Sequence, residues 1–314
     1  MKLVSYRHNK TFGSYRVGAV VEEKIIDVNE AYKRYLVFQG DNQLDSADYL
    51  VPAQWEDFIA LGQASIERGQ VALSFVLEHQ ISDVCFERSD VSIGAPVKSG
   101  AKIICVGKNY RDHVAEMSKG GMESDLPTYP VLFSKFDNAI ISAAEPIQKS
   151  PHTNQLDYEG ELALVIGQKA SNVPKEEALQ YIAGYTIGND VSARDLQKRT
   201  PQWLQGKTLD KSTPVGPWMV TSDEIPDPSS LNIQTFINGE KRQDSNTQHL
   251  IFTIPYLIEF ISSLITLQPG DIILTGTPNG VGFAMDPPQF LHDGDEVRIE
   301  IEKVGVLQNR VSEQ

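Results

Sequence analysis

Two glutamates spaced two residues apart, Glu159 and Glu161, have the spacing that points most directly to chemistry. They begin an apolar, β-branched run that ends at Gly167 and predicts a strand. Side chains alternate along a strand, so both carboxylates should face the same side. If both were buried they would repel each other, and a hard divalent cation with oxygen ligands would relieve that repulsion. From this motif alone, the two glutamates could instead lie on a solvent-exposed face of the strand.

A second group of polar residues follows a strand predicted over residues 184–188. Asp190 ends that strand, and Arg194 and Gln197 lie four and seven residues further on, in a helix predicted over residues 193–199. Asp190 could therefore supply a third metal ligand beside an arginine that binds a carboxylate. The same spacing also suits an aspartate that caps the helix and pairs with Arg194.

Lys207 and Thr277 are candidates for holding an anionic substrate. A lysine near a metal can stabilise an enolate or bind a carboxylate. Thr277 lies in the glycine-rich segment 275–282, whose backbone N–H groups could approach an anion. The alternatives are an ordinary loop lysine and an ordinary glycine-rich turn.

His113 and Glu116 lie three residues apart on a helix predicted over residues 110–117, so they face the same side. Glu116 could orient His113 as a general base that acts on water. The pair Gly120-Gly121 follows, which predicts a lid over residues 108–126 that closes when an anion binds. Two exposed polar side chains are the alternative for His113 and Glu116.

Composition narrows the class of protein. A net charge of −14 argues against a nucleic-acid or anionic-membrane partner, and no apolar run approaches the length of a membrane span. The two cysteines are too few for a disulfide framework or a zinc cluster, and the polar start of the chain is unlike a signal peptide. Both observations predict a reduced, cytoplasmic setting. The motifs of serine hydrolases, zincins and P-loop enzymes do not occur.

The order of predicted elements indicates a strand-rich α+β fold. After residue 100, strands are predicted over residues 103–107, 131–133, 139–142, 160–166, 184–188, 218–221, 232–237, 271–274 and 296–301. Because they do not alternate regularly with helices, a mostly antiparallel sheet is expected. The length of 314 residues predicts a small N-terminal α+β domain at 1–95 and a catalytic domain at 96–314, with residues 85–100 as the link.

The N-terminal region has its own predicted elements. Residues 17–28 should form a hairpin, and Asn29 should cap a helix that ends at Phe38. Apolar residues between 53 and 80 recur at helical spacing, which predicts two amphipathic helices separated near Gly69.

Four segments together resemble the fumarylacetoacetate hydrolase superfamily. They are residues 107–116, 156–161, 189–197 and 275–278, and the resemblance spans roughly residues 100–310. The chain is most similar to a bacterial branch that includes acylpyruvate-type hydrolases and oxaloacetate decarboxylases. The resemblance implies a β-sandwich-roll catalytic domain, usually a homodimer, that holds one Mg²⁺ or Mn²⁺.

The resemblance also implies roles for individual residues. The metal ligands would be Glu159, Glu161 and Asp190, the lid dyad would be His113 and Glu116, and contacts to the 2-oxo acid would come from Arg194, Lys207 and Thr277. Gln197 would help to place the substrate or a water. The animal enzyme of the superfamily has a further aspartate ligand upstream that we do not find here, so we place three protein ligands.

These assignments predict a metal-dependent hydrolase that cleaves a C–C bond in a small anionic 2-oxo acid, such as an acylpyruvate or fumarylpyruvate. The enolate product would be held by the metal and Lys207. Oxaloacetate decarboxylation needs the same enolate but no water, so it stays open, as does a reaction like that of 2-hydroxyhepta-2,4-diene-1,7-dioate isomerase. The presence of His113, Glu116 and Gln197 favours hydrolysis. A non-catalytic metal-binding protein is disfavoured because triad, dyad, arginine and lysine occur together.

Overall fold

The structure is a computed structural model, and it describes residues 1–10, 13–41, 43–118 and 125–313. These residues contain nineteen strands and eight α-helices. The strands are β1 (Lys2–His8), β2 (Arg16–Val21), β3 (Lys24–Asp27), β4 (Cys85–Glu87), β5 (Val91–Gly94), β6 (Ile103–Gly107), β7 (Val131–Lys135), β8 (Ile140–Ile141), β9 (Ile147–Lys149), β10 (Leu156–Asp157), β11 (Gly160–Ile166), β12 (Ile182–Asn189), β13 (Ser192–Ala193), β14 (Thr213–Thr221), β15 (Asn232–Ile237), β16 (Glu240–Asn246), β17 (Ile272–Leu274), β18 (Glu296–Ile301) and β19 (Gly305–Glu313). The helices are α1 (Val28–Phe38), α2 (Ser46–Leu50), α3 (Trp55–Ala60), α4 (Gln63–Glu78), α5 (Arg111–Met117), α6 (Arg194–Gln197), α7 (Leu204–Lys207) and α8 (Ile254–Leu264). The predicted strand-rich α+β class is confirmed.

Two large sheets carry the fold. The first has twelve strands in the order β4-β3-β2-β1-β14-β12-β11-β17-β6-β7, with β5 also beside β1 and β8 beside β14. Along this path the strands pair antiparallel except β17 with β6, as the irregular order of elements predicted. The second sheet has the order β16-β15-β18-β19-β9.

Strand β11 lies in the interior of the first sheet and is buried along its whole length. Leu162, Leu164 and Ile166 belong to the largest hydrophobic cluster, which also contains residues of the second sheet and of α8. Ala163 and Val165 belong to two other clusters. The two faces of β11 therefore alternate as the sequence predicted, and both are buried.

The N-terminal region joins the same sheet. Strand β1 pairs with β14 through Leu3 and Met219, and Met219 shares a hydrophobic cluster with residues of α1, α3 and α4. Residues 85–94 form β4 and β5 rather than a link, because β5 covers part of the edge of β1 and β4 pairs with β3. The domain division near residue 95 stays a prediction.

Two local predictions in this region were wrong. Helix α1 is capped by Asp27, whose side chain accepts a hydrogen bond from the N–H of Glu30, and Asn29 lies inside the helix. Helix α4 continues through Gly69, which packs closely against Val28 of α1. The break between α3 and α4 falls instead at Gly62, where a φ of 60° reverses the chain.

None of the helices in the described part of the chain combines the length and the apolar character that crossing a membrane requires.

Candidate functional site

Three carboxylates meet where strands β11 and β12 are paired. Glu159 precedes β11, Glu161 lies in it, and Asp190 directly follows β12. Because Gly160 is paired with Asn189, the antiparallel register brings the three side chains together. One oxygen from each carboxylate lies within 4.8 Å of the others, and all three residues are buried.

Three buried cations surround the acids. The Nζ of Lys207 donates to Glu159 Oε2 (2.6 Å) and to Asp190 Oδ2 (2.7 Å). The Nη2 of Arg194 forms an ion pair with Glu159 Oε1 at 2.7 Å. The third cation, Lys135, donates to the other oxygen of Asp190 at 2.7 Å. The cluster is thus a dense, buried network of ion pairs.

The two glutamates differ in their titration. Burial opposes ionisation of Glu159, but the nearby Lys207 and Arg194 outweigh it and hold the pKa of Glu159 well below its usual range. Burial raises the pKa of Glu161 far above its usual range, and the charges of Asp190 and Glu159 raise it further. The Glu161 carboxylate accepts a hydrogen bond from the backbone N–H of Gly276 (2.7 Å). The ion pairs described at the site go instead to Asp157, Glu159 and Asp190.

This arrangement fits a divalent cation. Three carboxylate oxygens are the ligands that hard cations such as Mg²⁺ and Mn²⁺ prefer. Glu159 and Asp190 repel the Glu161 carboxylate, and none of the ion pairs described above offsets this repulsion at Glu161. A cation beside Glu161 would remove the repulsion.

Arg194 is oriented by an aspartate that the sequence analysis did not assign. Its Nε donates to Asp157 Oδ2 (2.9 Å), and its Nη1 donates to Gln197 Oε1 (3.1 Å). The alternative in which Asp190 caps the helix and pairs with Arg194 does not form, because β13 separates Asp190 from the start of α6. Burial raises the pKa of Asp157, although the adjacent Arg194 opposes this effect.

The predicted His–Glu pair is formed. His113 Nδ1 lies 2.8 Å from Glu116 Oε1 on α5, and the Glu116 carboxylate also accepts hydrogen bonds from the backbone N–H of Gly280 (2.9 and 3.1 Å). The residue His113 as a whole is buried. Gly120-Gly121 lie outside the described residues, and lid closure stays a prediction.

The backbone N–H groups of the glycine-rich segment 275–282 donate hydrogen bonds to carboxylates of the protein itself. Its backbone N–H groups donate to three acids of the site: Gly276 to Glu161, Gly280 to Glu116, and Gly282 to Asp157. Thr277 Oγ1 donates to the carbonyl of Gly160 (3.1 Å) and accepts from Gln243 Nε2 (2.8 Å). The segment therefore fixes the positions of the acids.

One cavity connects these residues. Of the nine residues predicted from the sequence, eight line it, namely His113, Glu159, Glu161, Asp190, Arg194, Gln197, Lys207 and Thr277. The ninth residue, Glu116, contacts His113, which lines the cavity. Lys108 and several apolar side chains form most of the remaining wall, and the rings of Phe133 and Phe283 stack against Lys207 and Arg194 at 4.9 and 4.4 Å.

Sequence reasoning missed Lys135 and Asp157. Lys135 follows Phe133-Ser134 in a short strand, where a single lysine normally indicates a solvent-facing position. Asp157 lies in the same segment as Glu159 and Glu161, and its alternation with them was the available signal.

The sequence that forms this site matches a known protein family. The family model described as "Fumarylacetoacetate (FAA) hydrolase C-terminal" matches residues 102–312. The chain belongs to this family. Among curated family members, the oxaloacetate tautomerase YisK of Bacillus subtilis (strain 168) is 38% identical over 300 residues, which cover 94% of this chain and 95% of the relative.

Solved structures of the family share the fold over the full chain. A 2-hydroxyhepta-2,4-diene-1,7-dioate isomerase from Mycobacterium marinum matches with a TM-score of 0.73 and 30% identity, covering 100% of this chain and 99% of that one. A maleylpyruvate hydrolase from Sphingobium sp. SYK-6, in complex with manganese (II) ion and pyruvate, matches with a TM-score of 0.73 and 28% identity, with the same coverage. Family members with this fold thus carry the names of a tautomerase, an isomerase and a hydrolase.

Proposed function

We propose that this protein is a divalent-metal-dependent enzyme acting on small anionic 2-oxo acids, and that it catalyses the tautomerisation of oxaloacetate. The observation that carries the proposal is the His113–Glu116 pair in the same cavity as the three carboxylates. Tautomerisation moves a proton between the carbon next to the keto group and the keto oxygen, so it requires a positioned proton carrier. The name of the Bacillus subtilis relative supports this choice of reaction.

The residues of the cavity divide the chemistry among them. Glu159, Glu161 and Asp190 would hold a Mg²⁺ or Mn²⁺ ion, which when bound polarises the keto oxygen and acidifies the neighbouring carbon. Arg194 and Lys207 supply positive charge for the carboxylate of the 2-oxo acid. Both side chains are buried, which strengthens these charge interactions.

His113 would carry the proton. Its Nδ1 faces Glu116, which leaves Nε2 to accept a proton from the substrate carbon. The imidazolium formed in that step is stabilised by the carboxylate of Glu116, which Gly280 holds in place. Return of the same proton to the oxygen completes the tautomerisation without a net change in the protein.

Acylpyruvate hydrolysis is the second candidate function, and the position of Gln197 favours it. The Oε1 of Gln197 accepts from Arg194, so its amide N–H groups remain to orient a water in the cavity. His113 would then activate that water instead of the substrate carbon. The Sphingobium hydrolase, which was solved with pyruvate, supports this alternative.

The test is to measure loss of the enol absorbance of oxaloacetate, release of pyruvate from oxaloacetate, and hydrolysis of acetylpyruvate, each with Mg²⁺ or Mn²⁺. The His113→Ala variant should lose about 10²- to 10⁴-fold in kcat/KM for the enzyme's reaction. Replacement of the exposed His249 by Ala is the matched control and should have no effect. If wild-type protein accelerates none of the three reactions beyond free metal, the proposal fails. If it accelerates only acetylpyruvate hydrolysis, the second candidate replaces the first.

We also infer a cytoplasmic homodimer. Both cysteines, Cys85 and Cys105, are free thiols, as expected in a reducing compartment. Tyr129 stacks on Phe260 of α8, and Phe260 also contacts the ring of Tyr256 in the same helix. Tyr129 is 65% exposed, so a second chain could bury this aromatic group. Light scattering of the purified protein measures the mass, and a monomer at micromolar concentration would contradict the dimer.

A further inference from the structure

Strand β7 has an unusual distribution of burial. Val131, Leu132 and Phe133 are each only partly buried and Ser134 is exposed, whereas Lys135 is fully buried. Lysine is among the residue types that are almost never fully buried unless paired, because an ammonium group loses its hydration. The one fully buried side chain of this strand is therefore the one that is most costly to bury.

The buried ammonium of Lys135 has two partners, and both belong to the segment that follows β12. Its Nζ donates to Asp190 Oδ1 at 2.7 Å and to the carbonyl oxygen of Val191 at 3.0 Å. The backbone N–H of Asp190 donates to the carbonyl of Glu159 at 2.9 Å. Asp190 is thus held at two points, by its backbone N–H and by one of its two carboxylate oxygens.

The other oxygen of Asp190 points to a different lysine. Oδ2 accepts from Lys207, which lines the cavity, whereas Lys135 is outside the set of lining residues. The two lysines therefore divide one carboxylate between them. Lys135 binds Oδ1, and Oδ2 is bound by Lys207, the lysine that lines the cavity.

We propose that Lys135 is a positioning residue for the metal site: it holds Asp190 with Oδ2 directed toward Glu159 and Glu161. This inference rests on the proposed assignment of these three acids as metal ligands. Partners that orient a metal ligand typically change metal affinity by about 10- to 100-fold when they are removed. Lys135 would act only through Asp190 and would not contact the substrate.

Charge and geometry make opposite predictions here, which makes the inference testable. If Lys135 mattered only as a positive charge near the site, its removal would make the site more negative and Mn²⁺ would bind more tightly. If Lys135 matters because it orients Asp190, its removal should weaken Mn²⁺ binding despite the gain in negative charge. The sign of the change therefore separates the two roles.

The experiment measures the Kd of Mn²⁺ alone by calorimetry, on protein freed of metal, for wild type, Lys135→Met and Lys135→Arg. Lys149→Met is the matched control, because Lys149 is also buried and forms an ion pair, with Glu313, outside the site. We expect Lys135→Met to raise the Kd about 10- to 100-fold and Lys149→Met to leave it unchanged. Lys135→Arg keeps the charge but alters the donor geometry, so its Kd should also rise, by a smaller factor.

Each result has a distinct meaning. An unchanged or lower Kd in Lys135→Met, or an equal rise in Lys149→Met, overturns the positioning role. If Lys135→Met does not fold, Lys135→Arg decides, and a Kd equal to that of wild type overturns the inference. Failure of wild type itself to bind Mn²⁺ would instead refute the metal assignment of the proposed function.

Discussion

Glu159 and Glu161 face the same site but should respond in opposite directions when their charge is removed. The pKa of Glu159 is lowered in the folded protein, so its ionised form adds stability above the pKa of the unfolded chain, and that stability is lost as the pH falls through the folded pKa. The pKa of Glu161 is raised, so the stability linked to its protonated form is lost as the pH rises toward its folded pKa.

We therefore expect metal-free Glu159→Gln to be less stable than wild type at pH 7, by about 3–5 kcal/mol, because Arg194 and Lys207 lose a buried partner. Metal-free Glu161→Gln should be more stable than wild type, and its advantage should grow between pH 5 and pH 8. Both variants should lose Mn²⁺ binding. The measurement is the thermal midpoint in excess chelator across this pH range, followed by Mn²⁺ titration. A Glu161→Gln midpoint below that of wild type at pH 8 would contradict the repulsion argument.

The sequence predicted the acids of the site better than their counter-charges. Glu159, Glu161 and Asp190 follow from strand alternation and a strand end, which are local patterns. Lys135 could not be found in this way, because its burial depends on Asp190, which lies 55 residues further along the chain. For the same reason the alternative pairing of Arg194 with Asp190 could not be excluded from the sequence, whereas the fold brings Asp157 to Arg194 instead.

At the scale of elements, the short helix α7 depends on one glycine. A Cβ on Gly206 would lie 2.6 Å from the carbonyl oxygen of Ala193 and 2.6 Å from Cβ of Gln197, so α7 is pressed against β13 and α6. This close approach is what allows the next residue, Lys207, to reach Glu159 and Asp190.

Gly206→Ala should push α7 away and displace Lys207. We expect a loss of about 1–3 kcal/mol in stability and a rise in KM for the 2-oxo acid that exceeds the change in Mn²⁺ affinity. Leu204→Ala in the same helix is the control, since Leu204 is 43% exposed and its truncation leaves the contact with α6 intact. Equal KM values for Gly206→Ala and wild type would show that Lys207 does not bind the substrate.

One predicted helix boundary was wrong because it was placed at a glycine. Gly69 predicted a helix break because glycine weakens helices, but contact with Val28 of α1 keeps it helical. Periodicity identified β11, β15 and β18 with the observed bounds, since their apolar pattern is strong and local. The distant pairing of β1 with β14 had no local signal.

At the scale of the whole molecule, residues 1–95 cover a hydrophobic surface of the rest of the chain. Val165, Ala183 and Met219 share their cluster with N-terminal side chains, and β14 gives up part of its edge to β1. The proposed ligands and the His–Glu pair all lie after residue 95. The domain division therefore predicts that removal of residues 1–95 lowers solubility but leaves metal binding by residues 96–314 largely unchanged.

A chain of residues 96–314 should be poorly soluble, because it exposes this surface and a strand edge. The fraction that folds should bind Mn²⁺ with a Kd within about tenfold of the full chain, since outlying partners matter less than ligands. Co-expression with residues 1–95 should restore solubility and serves as the control. Loss of Mn²⁺ binding in a truncated chain with native circular dichroism would count against the division.

The pairing of β1 also has a consequence during synthesis on the ribosome. Residues from Ser5 to His8 pair with β5, but Lys2 and Leu3 pair with β14, and the Thr221 hydroxyl donates to the Met1 carbonyl across 220 residues of sequence. At a synthesis rate of about 5–20 residues per second, roughly 10–45 s pass between the synthesis of Lys2 and Leu3 and that of their partner strand β14. Until then the nascent chain presents an unpaired strand that other nascent chains can join. Translation pauses between β5 and β14 would lengthen that interval and lower the yield of correctly folded protein.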